Sequence, residues 1–209
     1  MTPLELYAIL NNSYGNQRWW PAQTPYEVMV GAVLTQNTAW GNVEKAIAGF
    51  GGELTPERVA SLPLDELKSI IRPAGFFNQK SAYLKTLTAW FAENNYDAGV
   101  VAARPMAAVR GELLNLRGIG PETADSILLY AFGFPTFVVD AYTRRLLTRL
   151  GIDVPMDYYS IKAYLESRLP VDAALYNNFH ALIVRHANAH CRAKAACGGC
   201  PLKPLNKCI

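Results

Sequence analysis

The sequence predicts an all-α protein on three observations. Apolar residues recur at helical spacing along most of the chain. The segments marked in this way are bounded by capping residues, glycine and proline, and the alternating runs that make strands are scarce. With 209 residues, 51% of them apolar, the chain is long enough to bury a substantial core. A formal charge of +3 permits a polyanionic partner without demanding one. The stretch from Met1 to Gly15 carries Glu5 where a leader would be basic, and it has no long apolar run. Neither a signal peptide nor a membrane anchor is therefore expected, and a cytoplasmic protein is.

Taken in order, Leu4, Leu6, Tyr7 and Leu10 mark a first short helix, and Tyr26 to Leu34 reads as a strongly apolar, buried one. A third starts soon after Asn37 and runs through Val43 and Ala46. Thr55-Pro56-Glu57 and Pro63-Leu64-Asp65-Glu66 are helix starts, with proline early and acids in the first turn, where the helix dipole favours them. Gly75 breaks the pattern, which resumes from Lys80 to Phe91. A polar connection at Glu93 to Asp97 follows, and Met106 to Asn115 is helical again. The apolar run Thr136 to Val139 has the look of a strand but is only four residues long and precedes a helix, so it is weak evidence for one.

Three constellations carry chemistry. In the first, one helix ends at Leu116-Arg117-Gly118-Ile119-Gly120 and Pro121-Glu122-Thr123 opens the next. Glycine permits positive φ and close approach of another backbone, and free N–H groups at a helix start can hold a phosphate. Taken alone, the same residues also suit an ordinary interhelical turn. In the second, Asp140 stands before the helix-like run Ala141-Tyr142-Thr143-Arg144-Arg145. Aspartate there is a helix cap, or a carboxylate placed to stabilise positive charge on a sugar. Arg144, Arg145 and Arg149 suit a solvated face or phosphate contacts.

The third is Cys191-x5-Cys197-x2-Cys200-x7-Cys208, which contains every cysteine of the chain. Such clustering is unlike the dispersed pairs of a disulfide framework. Tetrahedral zinc would accept four thiolates, and so would a [4Fe–4S] cluster; the longer outer loops favour the cluster.

Hairpin, aspartate and cysteines in this order, with LTQNTAWGNVEKA and AGFFNQKSAYLK, resemble the endonuclease III family of helix-hairpin-helix DNA glycosylases, from about Tyr26 to Cys208. The resemblance implies a helical barrel over residues 22–134 and a second helical lobe made from 1–21 and 135–209. It also implies a [4Fe–4S] cluster on Cys191, Cys197, Cys200 and Cys208, and a monomer holding double-stranded DNA between the lobes with the damaged base rotated out. Endonuclease III has a nucleophilic lysine where this chain has Glu122. A carboxylate cannot form a Schiff base, so a monofunctional enzyme is implied, with Asp140 and Glu122 as the candidate catalytic residues, Asp140 stabilising charge on the sugar and Glu122 catalytic or structural. The cysteine spacing departs from the family's usual one by a residue or two.

Gly118-Ile119-Gly120-Pro121-Glu122-Thr123-Ala124-Asp125 together with Leu34 to Thr38 is most similar to the subgroup that removes alkylated purines such as 3-methyladenine. A cationic base of that kind is attracted to aromatic rings, for which Trp20, Tyr26, Trp40 and Phe77 are the candidates, Trp20 first. Gln36 or Asn37 corresponds to the residue that fills the hole left by the base, and Gly75 to Asn78 to a wedge on the other strand. Gly118, Ile119, Gly120, Thr123 and Arg144 are expected to meet DNA. Two other activities fit the same sequence: a glycosylase for uracil, mismatched thymine or oxidised bases, and a non-catalytic iron–sulfur DNA-binding protein.

Overall fold

The computed structural model describes residues 1–17 and 19–203, and among them every regular element is helical. The chain divides into two compact units, one formed by Ala22–Phe134 and the other by Met1–Pro21 with the chain from Pro135 onward. Helix α1 (Pro3–Tyr14) belongs to the second. The first contains α2 (Pro25–Leu34), α3 (Trp40–Ala48), α4 (Pro56–Ser61), α5 (Leu64–Ile70), a 3-10 turn (Arg72–Ala74), α6 (Phe77–Ala92), α7 (Ala98–Ala102), α8 (Met106–Asn115) and α9 (Pro121–Phe132). Helices α10 (Ala141–Arg149), α11 (Tyr158–Glu166) and α12 (Ala173–Ala189) complete the second unit. No helix among the described residues is long and apolar enough to cross a membrane.

Side-chain caps start most of these helices. Thr24 and Thr55 accept the N–H groups of Glu27 and Arg58, each with proline at the next position, and Thr2 and Glu5 form a reciprocal capping box. Asp97, Asp157 and Asp172 cap α7, α11 and α12. Helix α3 begins at Trp40, soon after Asn37 as the sequence pattern suggests, because residues 35–38 form a turn in which Asn37 is left-handed (φ 50°).

In the 22–134 unit, α2 is buried on all sides, at Tyr26 and from Val28 to Leu34. It packs on α9, itself buried from Thr123 to Leu129 and at Phe132, and on α6. Each large aliphatic side chain enclosed there stabilises the fold by roughly 1.5–3 kcal/mol. Helix α9 also buries a charge. Asp125 is fully enclosed and receives two hydrogen bonds from Arg110 of α8, at 2.8 and 3.1 Å.

In the other unit, α1 and α10 pack on α12, and the Phe137 ring meets Phe179 and Tyr176 edge-on at 5.6 Å. Residues 136–139 are buried but make no strand. Helix α11 serves the backbone of Phe137: its N–H donates to Glu166 Oε1 at 2.7 Å, and Lys162 Nζ donates to its carbonyl at 3.2 Å while pairing with Glu166. A buried polar backbone without a ladder has to find such partners.

Replacing Arg110 by methionine keeps the stem and removes the charge facing Asp125. We expect a loss of about 3–5 kcal/mol, read by urea denaturation, because a buried carboxylate then loses its counter-charge. A change below about 1 kcal/mol would mean that the pair does not hold α8 to α9.

Candidate active site

Two groups of residues bear on function, one in each unit. In the 22–134 unit the helix-hairpin-helix lies between α8 and α9. The glycines of the turn have different tasks. Gly118 is left-handed (φ 85°), and a Cβ on it would fall 2.4 Å from the Tyr83 ring of α6, so glycine is required there twice over. Gly120 is extended (φ −88°), caps α9, and faces open space where a Cβ would point. Of the two roles glycine allows here, positive φ therefore applies to Gly118 alone. Its open backbone at the start of α9 suits an anion, since the helix dipole adds to exposed N–H groups.

Ile119 and Thr123, expected to contact DNA, face inward. Ile119 is 4% exposed within the core, and its N–H is spent on the Leu116 carbonyl at 3.1 Å; it anchors the hairpin. Thr123 is buried, and its hydroxyl accepts from Gln36 Nε2 at 3.0 Å. Gln36 also donates to the Gly118 carbonyl at 2.9 Å, so its amide braces the hairpin and does not project. Of the two residues weighed for the vacated base position, Asn37 is the exposed one. Glu122 is exposed in the first turn of α9.

Across the unit, the 75–78 turn presents Phe76 at 60% exposure and left-handed (φ 46°). Phe77 packs partly against the core with the Arg72 guanidinium 5.3 Å from its ring centre. Trp40 is likewise half-buried, its indole donating to Glu44 at 2.9 Å. Tyr26, a candidate for the pocket, is almost wholly buried. Its ring stacks on Phe91 at 6.0 Å, its hydroxyl bonds to Thr88 at 2.6 Å, and burial pushes its phenol pKa far up, which makes it a core residue. Trp20 lies in the other unit, half-buried and edge-on to Trp19 at 6.0 Å.

Asp140 caps α10. Its Oδ1 accepts from the Thr143 N–H at 2.7 Å and the Thr143 hydroxyl at 2.9 Å, and its Oδ2 lies 3.4 Å from His180 Nε2 on α12. Burial works against ionisation, but the facing His180 imidazole and the Thr143 hydrogen bonds outweigh it and hold the carboxyl below the ordinary aspartate range. The result is an enclosed, ionised carboxylate with 14% of its side chain still open. His180 and Tyr83 carried no signal that sequence reading could use, since both meet their partners only through the fold.

The arginines of α10 differ in their engagements. Arg144 lies over the Tyr158 ring at 6.0 Å. Arg145 donates to the Cys191 carbonyl at 2.6 Å and Arg149 to the Ala193 carbonyl at 3.0 Å, so these two pin the cysteine segment. Cys191 and Cys200 are buried, Cys197 is half-buried, and none of the three is in a disulfide. Cys208 lies outside the described residues. Among the described residues no three His, Cys, Asp or Glu side chains converge on one metal position.

The hairpin geometry makes a contrast that stability and binding measurements check. Gly118→Ala should destabilise the protein by roughly 1–3 kcal/mol through the collision with Tyr83 and the left-handed φ. Gly120→Ala should leave the melting temperature unchanged and weaken binding to damaged and undamaged duplexes alike. Equal stability losses at both positions would contradict this division.

Comparison with known proteins agrees with these features. Residues 30–170 match the family model described as HhH-GPD superfamily base excision DNA repair protein. A Methanocaldococcus jannaschii protein, provisionally named a DNA repair glycosylase, is 49% identical over 204 residues, covering 95% of this chain and 93% of its own. Endonuclease III of Synechocystis is 31% identical over 186 residues, 88% of this chain and 81% of that enzyme. Among solved structures, H. pylori 3-methyladenine DNA glycosylase bound to 1,N6-ethenoadenine superposes with a TM-score of 0.80 at 27% identity, over 90% of this chain and 98% of that one. The chain therefore belongs to the HhH-GPD superfamily of base excision DNA repair proteins, among its endonuclease III-like DNA glycosylases.

Proposed function

We propose that the protein is a monofunctional DNA glycosylase that hydrolyses the N-glycosidic bond of an alkylated purine, such as 3-methyladenine, in double-stranded DNA. The observation that carries this reading is the enclosed Asp140 carboxylate, held by Thr143 and facing His180, combined with an acid, Glu122, in the first turn of α9 where a lyase needs an amine. Departure of the base builds positive charge on the sugar. A carboxylate fixed by Thr143 and His180 stabilises that charge without having to reorganise. Water then attacks the sugar, and an intact strand with an abasic site is released. A methylated purine leaves as a neutral base and needs little protonation, so Glu122 serves as no obligatory acid. The open Gly120 backbone and Arg144 hold phosphates, and the exposed Asn37 and Phe76 are the points of entry into the duplex.

Cys191, Cys197, Cys200 and Cys208 are the proposed ligands of a [4Fe–4S] cluster. The donor set fits in its chemistry: all four residues supply soft thiolates, and both buried ones are free of disulfides. When bound, the cluster supplies cross-links to a segment otherwise held by Arg145 and Arg149.

Asp140→Asn keeps the cap and removes the charge. Single-turnover excision of 3-methyladenine should fall by roughly two orders of magnitude or more, with DNA binding retained. Borohydride should trap no protein–DNA adduct. A fully active Asp140→Asn would remove this residue from the mechanism, and a trapped adduct would identify an amine nucleophile. Release of uracil or an oxidised base in place of the alkylated purine would reassign the substrate.

Purified protein should be brown and contain iron and sulfide, and Cys200→Ser should lose both together with thermal stability. Stoichiometric zinc without iron would reject the cluster.

A further inference from the structure

Lys80, in the first turns of α6, is 2% exposed, yet it carries a charged head. Buried ammonium groups are costly unless every hydrogen is donated. All three are: Nζ lies 2.8 Å from the Leu34 carbonyl, 2.7 Å from Thr38 Oγ1 and 2.9 Å from the Ala74 carbonyl. Leu34 is the last residue of α2, where a cation meets the negative end of the helix dipole. Thr38 closes the 35–38 turn, and its hydroxyl also contacts the Ala74 carbonyl at 2.5 Å. Ala74 ends the 3-10 turn immediately before Gly75 and Phe76, and the Phe76 ring centre is 6.0 Å from Nζ. One ammonium therefore ties together the turns that present Asn37 and Phe76, both of which are left-handed residues other than glycine. Such backbone conformations persist only where the surroundings over-determine them. Burial also lowers the Lys80 pKa to about 8. Its enclosure and its full set of hydrogen bonds leave no lone pair aimed at a substrate, so Lys80 is no hidden nucleophile.

Through Gln36, the same turn reaches the hairpin, because the Gln36 amide spans the Gly118 carbonyl and Thr123. The strut thus fixes three segments of one unit at set separations. We propose that Lys80 is a positioning residue for base extrusion: it makes the Asn37 and Phe76 turns a single rigid element, so that both enter the duplex at once. This rests on the reading above that those turns enter DNA. Opening a base pair costs stacking and pairing energy. A wedge whose halves move independently would recover less of it, since misplacement by about an ångström is enough to slow a positioned step severely.

The probe is a duplex carrying a single 1,N6-ethenoadenine, which fluoresces when it leaves the base stack. Extrusion is followed by stopped flow at saturating protein, with the lesion opposite thymine and, in a second duplex, opposite an abasic site where opening is easier. Lys80→Met keeps the stem and loses the ammonium. It should slow extrusion from the paired duplex by roughly tenfold or more and from the pre-opened duplex by no more than about twofold. Equal slowing on both duplexes would mark general structural damage, and wild-type rates on both would mean that the strut is idle; either overturns the proposal. If Lys80→Met does not fold, Thr38→Val, which removes only the hydroxyl between the turns, decides by the same ratio. Phe76→Ala separates the two readings. If it is slowed on the paired duplex and Lys80→Met is not, only the role of Lys80 falls; if neither is slowed, the turns do not enter DNA and both readings fall.

Discussion

Enclosure of α2 on all its faces fixes the functional part of the 22–134 unit. A helix with no solvent face cannot rotate or slide without exposing apolar surface or colliding with neighbours, so its ends are fixed in space. Its C-terminal end delivers Gln36 to the hairpin and Leu34 to the ammonium of Lys80. Its partner α9 is enclosed from Thr123 to Leu129 and is capped by Gly120. The hairpin, the Asn37 turn and the Phe76 turn are therefore held to one rigid pair of helices, although each is itself irregular.

The sequence exposed the helices where a local rule sufficed. Thr24-Pro25 and Thr55-Pro56 announce their helices by cap chemistry, Gly118-x-Gly120 announces a turn, and Asp140 announces a helix start. Local rules failed where the partner is distant in the chain. Lys80 reads as one more polar residue on an amphipathic helix, and nothing nearby says that three carbonyl and hydroxyl oxygens from 6 to 46 positions away will surround it. Ile119 and Thr123 sit inside a motif associated with DNA, and motif membership alone does not say which residues face outward. Asp140 is a cap, as its place before a helix suggests, and also an enclosed carboxylate, and nothing near it in the chain announces His180, forty residues on, which faces it.

The arginines of α10 show how charge at the surface divides its labour. A guanidinium has more donors than one acceptor can use. Arg145 and Arg149 spend some of theirs on carbonyls of the cysteine segment, which has few apolar residues to hold it by packing. Arg144 has the Tyr158 ring beside it and no such carbonyl among its described contacts. Three like residues within six positions therefore contribute differently, two to the shape of the segment after α12 and one to the surface of α10.

The buried coil at 136–139 has a consequence for how this chain can change over generations. The amide and carbonyl of Phe137 within it are satisfied by Glu166 and Lys162, which also pair with each other across one turn of α11. Substituting either alone strands a charge beside apolar side chains and orphans a main-chain group. An inherited change at one position is therefore tolerable only with a matching change at the other, or with a residue exchange in the coil that restores a ladder or a turn. Lys162 and Glu166 should co-vary among relatives as a pair, while position 137, which contributes only main-chain groups to them, need not follow.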